Sequence, residues 1–458
     1  MAASHRNITE DELRARLSDE LQSLGRAGLS EDEAFLIAAK RLAATDAEVR
    51  ALAREHFAGL WDDAEPVPED SAATALPPEP VIEPANRSDE GAPTTDELAR
   101  GRRGFWIMAA FAGVAGVAVR LPEAFGVGLT DSDDSIFYAR NIGLFVLAAL
   151  AGWFVWARRP HKWCVVAMGA VFAASAAVVN AYPFDEGGST DILAIAHLPA
   201  LLWLVVGVAH TGGDWRSSAR RMDYVRFTGE WVVYYVLIAL GGAVFSALTV
   251  GVFVALDVDT GWMTEWVMVA GSAAAVVVTA WLVEFWAGAV PKIASMLAQV
   301  FTPLFAAMLL IFLVAVAASG RSIENDRDVL ILFNVLLGLV VGLLLFSAAA
   351  RPADSRPGVF DLASAVLATA GLVTSVLTLV AIVGRIADFG WSPNRTAIAG
   401  MNLILLVNLA GSVWLYFRLW RRHGPFANIV RWQTAHFGIY AAWAAVVVVA
   451  FPPIFGFA

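Results

Sequence analysis

After residue 103 the chain becomes a succession of apolar runs, each near the roughly 20 residues that carry a helix across a bilayer. Eleven are placed, near residues 104–122, 139–157, 163–182, 191–209, 230–255, 265–286, 299–319, 328–349, 359–384, 394–417 and 433–452. In hydrocarbon every backbone N–H and C=O needs a partner inside the protein. The runs also lack the alternation of barrel strands, so only α-helices are left to cross. The predicted fold class is all-α: a polytopic α-helical membrane protein with about eleven transmembrane helices, preceded by a small cytoplasmic three-helix domain. Composition agrees, at 58% hydrophobic and 16% charged residues, against roughly 45–50% and 25% in a soluble domain. That balance excludes an ordinary soluble enzyme, a nucleic-acid binder and a secreted disulfide scaffold. The lone Cys164, inside an apolar run, reads as a packing residue.

The net charge of −10 belongs to the first 103 residues, with 12 Lys/Arg against 22 Asp/Glu, whereas residues 104–458 hold 20 of each. Sorting within this neutral body sets the orientation. Loops assigned to the cytoplasm, with Arg100, Arg102 and Arg103 ahead of the first run, carry 17 Lys/Arg, and the opposite loops carry six. By the positive-inside rule the N-terminus is cytoplasmic and the C-terminus external. The acidic residues run the other way, 14 outside and six inside. No apolar core lies within the first 30 residues, so no cleavable signal peptide is expected, and the first span directs insertion. The expected location is the bacterial cytoplasmic (inner) membrane.

Three domains are predicted, over 1–61, 62–103 and 104–458. In the first, Leu13, Leu17, Leu21 and Leu24 share one helical face, Ser30-Glu31-Asp32-Glu33 forms a capping box, and Val49, Leu52, Phe57, Leu60 and Trp61 close a small core. Asp62 to Glu97 holds seven prolines, eleven acids and one basic residue, Arg87. It lacks the apolar surface to offset chain entropy and reads as an acidic tether ending in the basic stop. The head, at 1–61, is a possible docking module for a cytoplasmic protein partner. The other expected partner is the lipid bilayer, with no nucleic acid, and oligomeric state is not readable.

Several features of the body carry expectations. Trp106, Trp153, Trp156, Trp163, Trp231, Trp262, Trp266, Trp286, Trp391 and Trp432 lie near predicted span ends and read as interfacial anchors. Residues 291–299, too short to span, read as an interfacial helix ahead of the seventh run. Gly338 and Gly342 form a GxxxG pair that favours close helix packing in the eighth.

Polar groups at membrane depth are functional candidates because each costs a few kcal/mol there. Glu284, Asn408 and His436 are the candidate intramembrane polar residues. Glu284, His436 and His197 read either as interfacial or helix-linking hydrogen bonders or as proton carriers, and Asn180, Asn334, Asn402 and Asn408 read as glue. The densest constellation is the external turn Gly384 to Arg395. Its Arg385, Asp388, Asn394 and Arg395, with Asn402 seven residues further along the same helix face, form the candidate outer-face site. Two readings stay open: an ion-paired turn, with Asp388, Asp131, Asp133 and Asp134 as anionic partners, or a site for an anionic or phosphate-bearing group held by arginine. No Walker loop, His/Cys metal spacing, GxSxG elbow or HExxH is present, so no cofactor, no metal and no catalytic residue is assigned.

The stretch Pro291-Lys292, Phe301-Thr302-Pro303-Leu304-Phe305, Asp326-Arg327-Asp328, the turn Gly390-Trp391-Ser392-Pro393-Asn394-Arg395, and Asn402 with Leu406-Val407-Asn408-Leu409 resembles the bacterial domain-of-unknown-function 4153 (DUF4153) membrane proteins over about 220–455. Gly28-Leu29-Ser30-Glu31-Asp32-Glu33-Ala34-Phe35 and Ala39-Lys40-Arg41-Leu42 resemble the permease prefix domain, with Ala43 where that family has Gly. Neither resemblance implies an activity. Three functions are carried forward: transport or lipid handling, a scaffold recruiting a partner through the head, and an enzyme acting on a lipid-linked or anionic substrate at the outer face.

Overall fold

The structure, a computed structural model, describes residues 95–128, 134–256, 261, 268–285, 293–319, 327–351, 357–421 and 424–458. The three-helix head and most of the tether lie outside the described residues. Among those described, every regular element is helical. The chain is a multi-pass helical membrane protein, with eleven helices long and apolar enough to cross a bilayer.

In chain order they are α1 (Thr95–Arg120), α2 (Ser135–Arg158), α3 (Lys162–Ala181), α4 (Ser189–His210), α5 (Ser218–Ala255), α6 (Gly271–Phe285), α7 (Ile293–Ser319), α8 (Arg327–Ala350), α9 (Val359–Phe389), α10 (Pro393–Trp420) and α11 (Ala427–Val449). A 3-10 turn, Leu121–Phe125, extends α1, and a short helix, Phe451–Ile454, follows α11. Each coincides with one predicted run. Several starts lie ahead of the predicted ones: α1 begins at Thr95, within the expected linker, α5 at Ser218, and α7 at Ile293, so the expected interfacial helix is the first turns of a spanning helix. Residues 293–299 contain no proline or glycine to break it.

Side-chain bonds tie alternate helix ends together. Arg158 closes α2 against Glu284 at the end of α6, and Arg226 near the start of α5 donates to the Ala349 carbonyl at the end of α8. This is the basic end, where Lys162, Arg221, Arg351 and Arg421 also sit. At the opposite end Asn394 donates to Ser189, joining the starts of α10 and α4.

Two apolar cores fill the body. The first draws Ala115, Leu150, Phe154, Val206 and Val277 from α1, α2, α4 and α6. The second draws Leu309, Leu337, Leu344, Leu367 and Leu409 from α7 to α10, with Ile429 from α11. Helix α5 serves both: Tyr224 and Phe227 enter the first core, Met222 and Val225 the second. At 38 residues it is about 57 Å long, well beyond the roughly 30 Å of hydrocarbon. Its later half is apolar and uncovered, with Phe245 70% and Leu248 67% exposed, as befits a surface wetted by lipid.

Lipid tails are as apolar as leucine, so helices in a bilayer associate through close packing and polar bonds. Close packing here uses glycines other than the expected pair. A Cβ at Gly338 or Gly342 would meet nothing within 4 Å. A Cβ at Gly411 would overlap the Trp432 indole, and one at Gly400 the Trp443 indole. Both pairs are eleven residues apart, three helical turns, so they lie on one stripe of each helix and lock α10 to α11 about 16 Å apart.

That corrects part of the tryptophan reading. Trp432 packs in the Gly411 notch and donates to the Asn408 carbonyl (2.9 Å), and Trp231 donates to the Val276 carbonyl of α6 (3.0 Å). Trp153 is buried beside Phe154. All three join helices. Trp106, Trp163 and Trp391 are exposed, as anchors should be, and Trp156 is partly buried against the first core. Trp262, Trp266 and Trp286 lie outside the described residues. Cys164 packs with its sulfur against Gly213, in line with its expected role.

Candidate functional site

The outer turn is built as its sequence implies. Helix α9 stops at Gly390, whose φ of 75° is open to glycine but strained for other residues, and Gly390 N–H caps the Ile386 carbonyl. Ser392 then caps α10 by accepting from Arg395 N–H (3.4 Å), with Pro393 in the first turn, where its missing N–H costs nothing.

Within this frame Arg395 turns back on its own loop. Its Nη1 donates to the carbonyls of Phe389 (3.0 Å) and Gly390 (2.8 Å), and the guanidinium lies 5.5 Å from the centre of the Phe389 ring. The described partners are main-chain carbonyls instead of the expected acids. A helix C-terminus offers unsatisfied carbonyls with partial negative charge, so a cation settles there without a carboxylate. Arg385 stacks on the same ring at 5.8 Å, Asp388 is exposed, and Asn394 is spent on Ser189 (3.1 Å). Asp134 accepts from Gly128 N–H, while Asp131 and Asp133 lie outside the described residues.

Asn402 shares a helix but no open surface with this turn. It is fully buried, and its Oδ1 accepts from Ser375 of α9 (3.0 Å). Asn408 faces a different neighbour. Its Nδ2 donates to Gln433 Oε1 (3.3 Å), Gln433 Nε2 donates to Ser412 (2.7 Å), and Ser412 returns to the Asn408 carbonyl (2.7 Å). The loop is buried throughout, between α10 and α11, with Trp432 on the same carbonyl. The expected grouping of Arg395 and Asn402 therefore separates into an outer staple and buried interhelical bonds. His436, one turn beyond Trp432, bonds that residue's carbonyl through Nδ1 (2.9 Å) and is buried.

Glu284 gathers a charged cluster that the sequence reading only half identified. Its carboxylate accepts from Arg158 Nη2 (2.5 Å) and lies 3.1 Å from His210 Nε2, linking the ends of α2, α4 and α6. Arg158 is 36% exposed, Glu284 26% and His210 6%, so the cluster runs from solvent into the body. Three rings surround the imidazole: Phe227 at 4.7 Å, Phe154 at 5.0 Å and Tyr224 at 5.3 Å. His210 Nδ1 is buried with no hydrogen-bond partner. In the sequence Arg158 counts only toward topology, and His210, one residue past the fourth run, carries no expectation. Their separations of 52 and 74 residues hide the meeting. The usable signal was three titratable residues at the same end of three alternating spans.

A groove of about 280 Å³ opens sideways between α7 and α9, lined by Leu310, Leu313, Ala365, Val366, Thr369, Ala370 and Val373. Thr369 turns its hydroxyl to the Ala365 carbonyl (2.8 Å), so its polar atom is already bonded within its own helix. Among the described residues no three His, Cys, Asp or Glu side chains group to hold a metal ion. No family model matches the chain, and neither a curated protein nor a solved structure matches it.

Proposed function

We propose that this chain handles lipid within the bacterial cytoplasmic membrane, with its basic end and residues 1–103 on the cytoplasmic side. The apolar side groove between α7 and α9 carries the reading. A cavity of a few hundred Å³ walled by aliphatic side chains and open laterally suits one segment of an acyl or isoprenoid chain arriving from the bilayer. Small Ala365 and Ala370 leave the space, and no charge has to be desolvated to fill it.

The polar residues that a solute path would need favour this arm over transport of a water-soluble compound. Asn402, Asn408, Ser412 and Gln433 are buried and engaged in interhelical bonds. The outer-face enzyme reading loses support in the same way, because Arg395 is spent on its own turn. The likeness of that turn to the DUF4153 proteins, and partner recruitment through residues 1–61, stay within the proposal on sequence grounds alone.

The test is lipid retention. The intact chain, extracted from its membrane in mild detergent, is weighed by native mass spectrometry beside Thr369→Trp, which fills the groove from its exposed wall. The wild type is expected to keep a bound lipid that the variant loses, with the thermal midpoint of the two within a few degrees. Equal lipid retention by both would overturn the reading, as would a wild type that retains none.

A further inference from the structure

We propose that the end of α10 binds the headgroup of an anionic phospholipid from the leaflet at the basic end, at a site separate from the lipid groove. Trp414, Phe417 and Trp420 are all exposed over the last two turns of this helix, where indoles settle at headgroup level. The arginines that follow do not extend away from these rings. Arg418 lies over the Trp414 ring at 4.8 Å and Arg421 over the Phe417 ring at 4.3 Å, each on the aromatic residue of the preceding turn.

Two guanidiniums are thereby kept beside the headgroups instead of reaching into bulk water. An aromatic ring attracts a cation through its face. The N–H donors of a guanidinium lie in its own plane, in the fork that matches two phosphate oxygens. Arg418 and Arg421 are helix neighbours three residues apart, about 5–6 Å between Cβ atoms, so both can reach one phosphate.

The charge around the pair favours an anion. Residues 389–458 contain no Asp or Glu, while the end of α10 and the start of α11 carry Arg418, Arg421, Arg422 and Arg431. At the same end of the body Asp223, Glu284 and Asp361 are held by Arg226, Arg158 and Arg351. A headgroup phosphate supplies the countercharge that this hairpin lacks in its own sequence.

The acyl chain has a place as well. Leu403 and Val407 are exposed and share one face of α10 with Trp414. Fifteen residues separate Leu403 from Arg418, about 22 Å along the helix, which exceeds the roughly 15 Å of hydrocarbon in one leaflet. Head and chain therefore lie along a single helix.

The experiment titrates the full chain in mild detergent with phosphatidylglycerol, or with zwitterionic phosphatidylcholine of the same acyl chains, and counts bound lipid by native mass spectrometry. The groove takes only a chain and does not distinguish the two. Phosphatidylglycerol should bind more tightly, and Arg418→Gln with Arg421→Gln should reduce that preference about tenfold. Arg216→Gln with Arg220→Gln removes the same charge from exposed arginines at the same end and should leave the preference intact. Arg421→Lys keeps the charge without the planar fork. It should lose several-fold, and it supplies the test should the double variant assemble poorly. Equal binding of both lipids by the wild type overturns the site, as does an equal loss in the Arg216 and Arg220 pair. Displacement of phosphatidylglycerol by inorganic phosphate at equal concentration would assign the arginines to a free anion and overturn the lipid.

Discussion

The polar cluster under the first core and the polar lattice of α10 and α11 solve the same problem in opposite ways. Arg158, Glu284 and His210 are ionisable and sit at helix ends, where two of the three touch solvent. Asn408, Gln433 and Ser412 are neutral, wholly buried and bonded to one another, with Asn408 Oδ1 left without a partner. Depth explains the division. An ionised side chain at the bilayer centre costs several kcal/mol, whereas an amide loses little once its bonds are made inside the protein. The lattice therefore holds two helices together through neutral bonds, and the charged cluster ties three helix ends through ion pairs.

That contrast breaks most severely where steric lock and lattice coincide. Gly411→Leu places a side chain in the space of the Trp432 indole and should abolish the α10/α11 contact, costing about 3 kcal/mol or more. Gel filtration and proteolysis would report little folded protein. Glu284→Leu comes next. It strands Arg158 and a buried histidine, and because Glu284 is partly exposed the loss should be about 1–3 kcal/mol, seen as a lower thermal midpoint.

Asn408→Leu removes one neutral interhelical bond and should cost about 1 kcal/mol, with no change of that loss between low and high salt. Measuring both variants over a range of salt separates the regions: only the Glu284→Leu deficit should shrink as salt rises, since only that cluster is held by charge. The smallest effect belongs to Gly338→Ala with Gly342→Ala. Open space around both predicts a change within about 0.5 kcal/mol, where a true GxxxG contact would be badly damaged.

How much of this was legible in the sequence follows the same physics. Spans were legible because bilayer thickness imposes length and apolarity on every one, and all eleven runs became helices. Local devices were legible too: Gly390, Ser392 and Pro393 close one helix and open the next as read. Contacts between helices were not. Gly338 and Gly342 carry the pattern for close packing and face open space, while Gly400 and Gly411 carry no pattern and receive tryptophans. Likewise the basic residues at span ends look interchangeable in sequence, yet Arg158 meets a carboxylate and Arg221 meets carbonyls. Which neighbour a side chain finds depends on the rotation of helices far apart in the chain, and periodicity does not encode that rotation.

The central claim is that the body's lipid-facing surface is not uniform: the groove between α7 and α9 holds a chain, and the bare half of α5 is only wetted. Photolabelling reads this directly. The chain is reconstituted with a phospholipid carrying a diazirine midway along one acyl chain, irradiated, digested and mapped by mass spectrometry. Adducts should concentrate on residues 310–313 and 365–373 and resist dilution with unlabelled lipid longer than those on residues 232–256. Equal labelling of α5 and the groove, with equal loss on dilution, would contradict it.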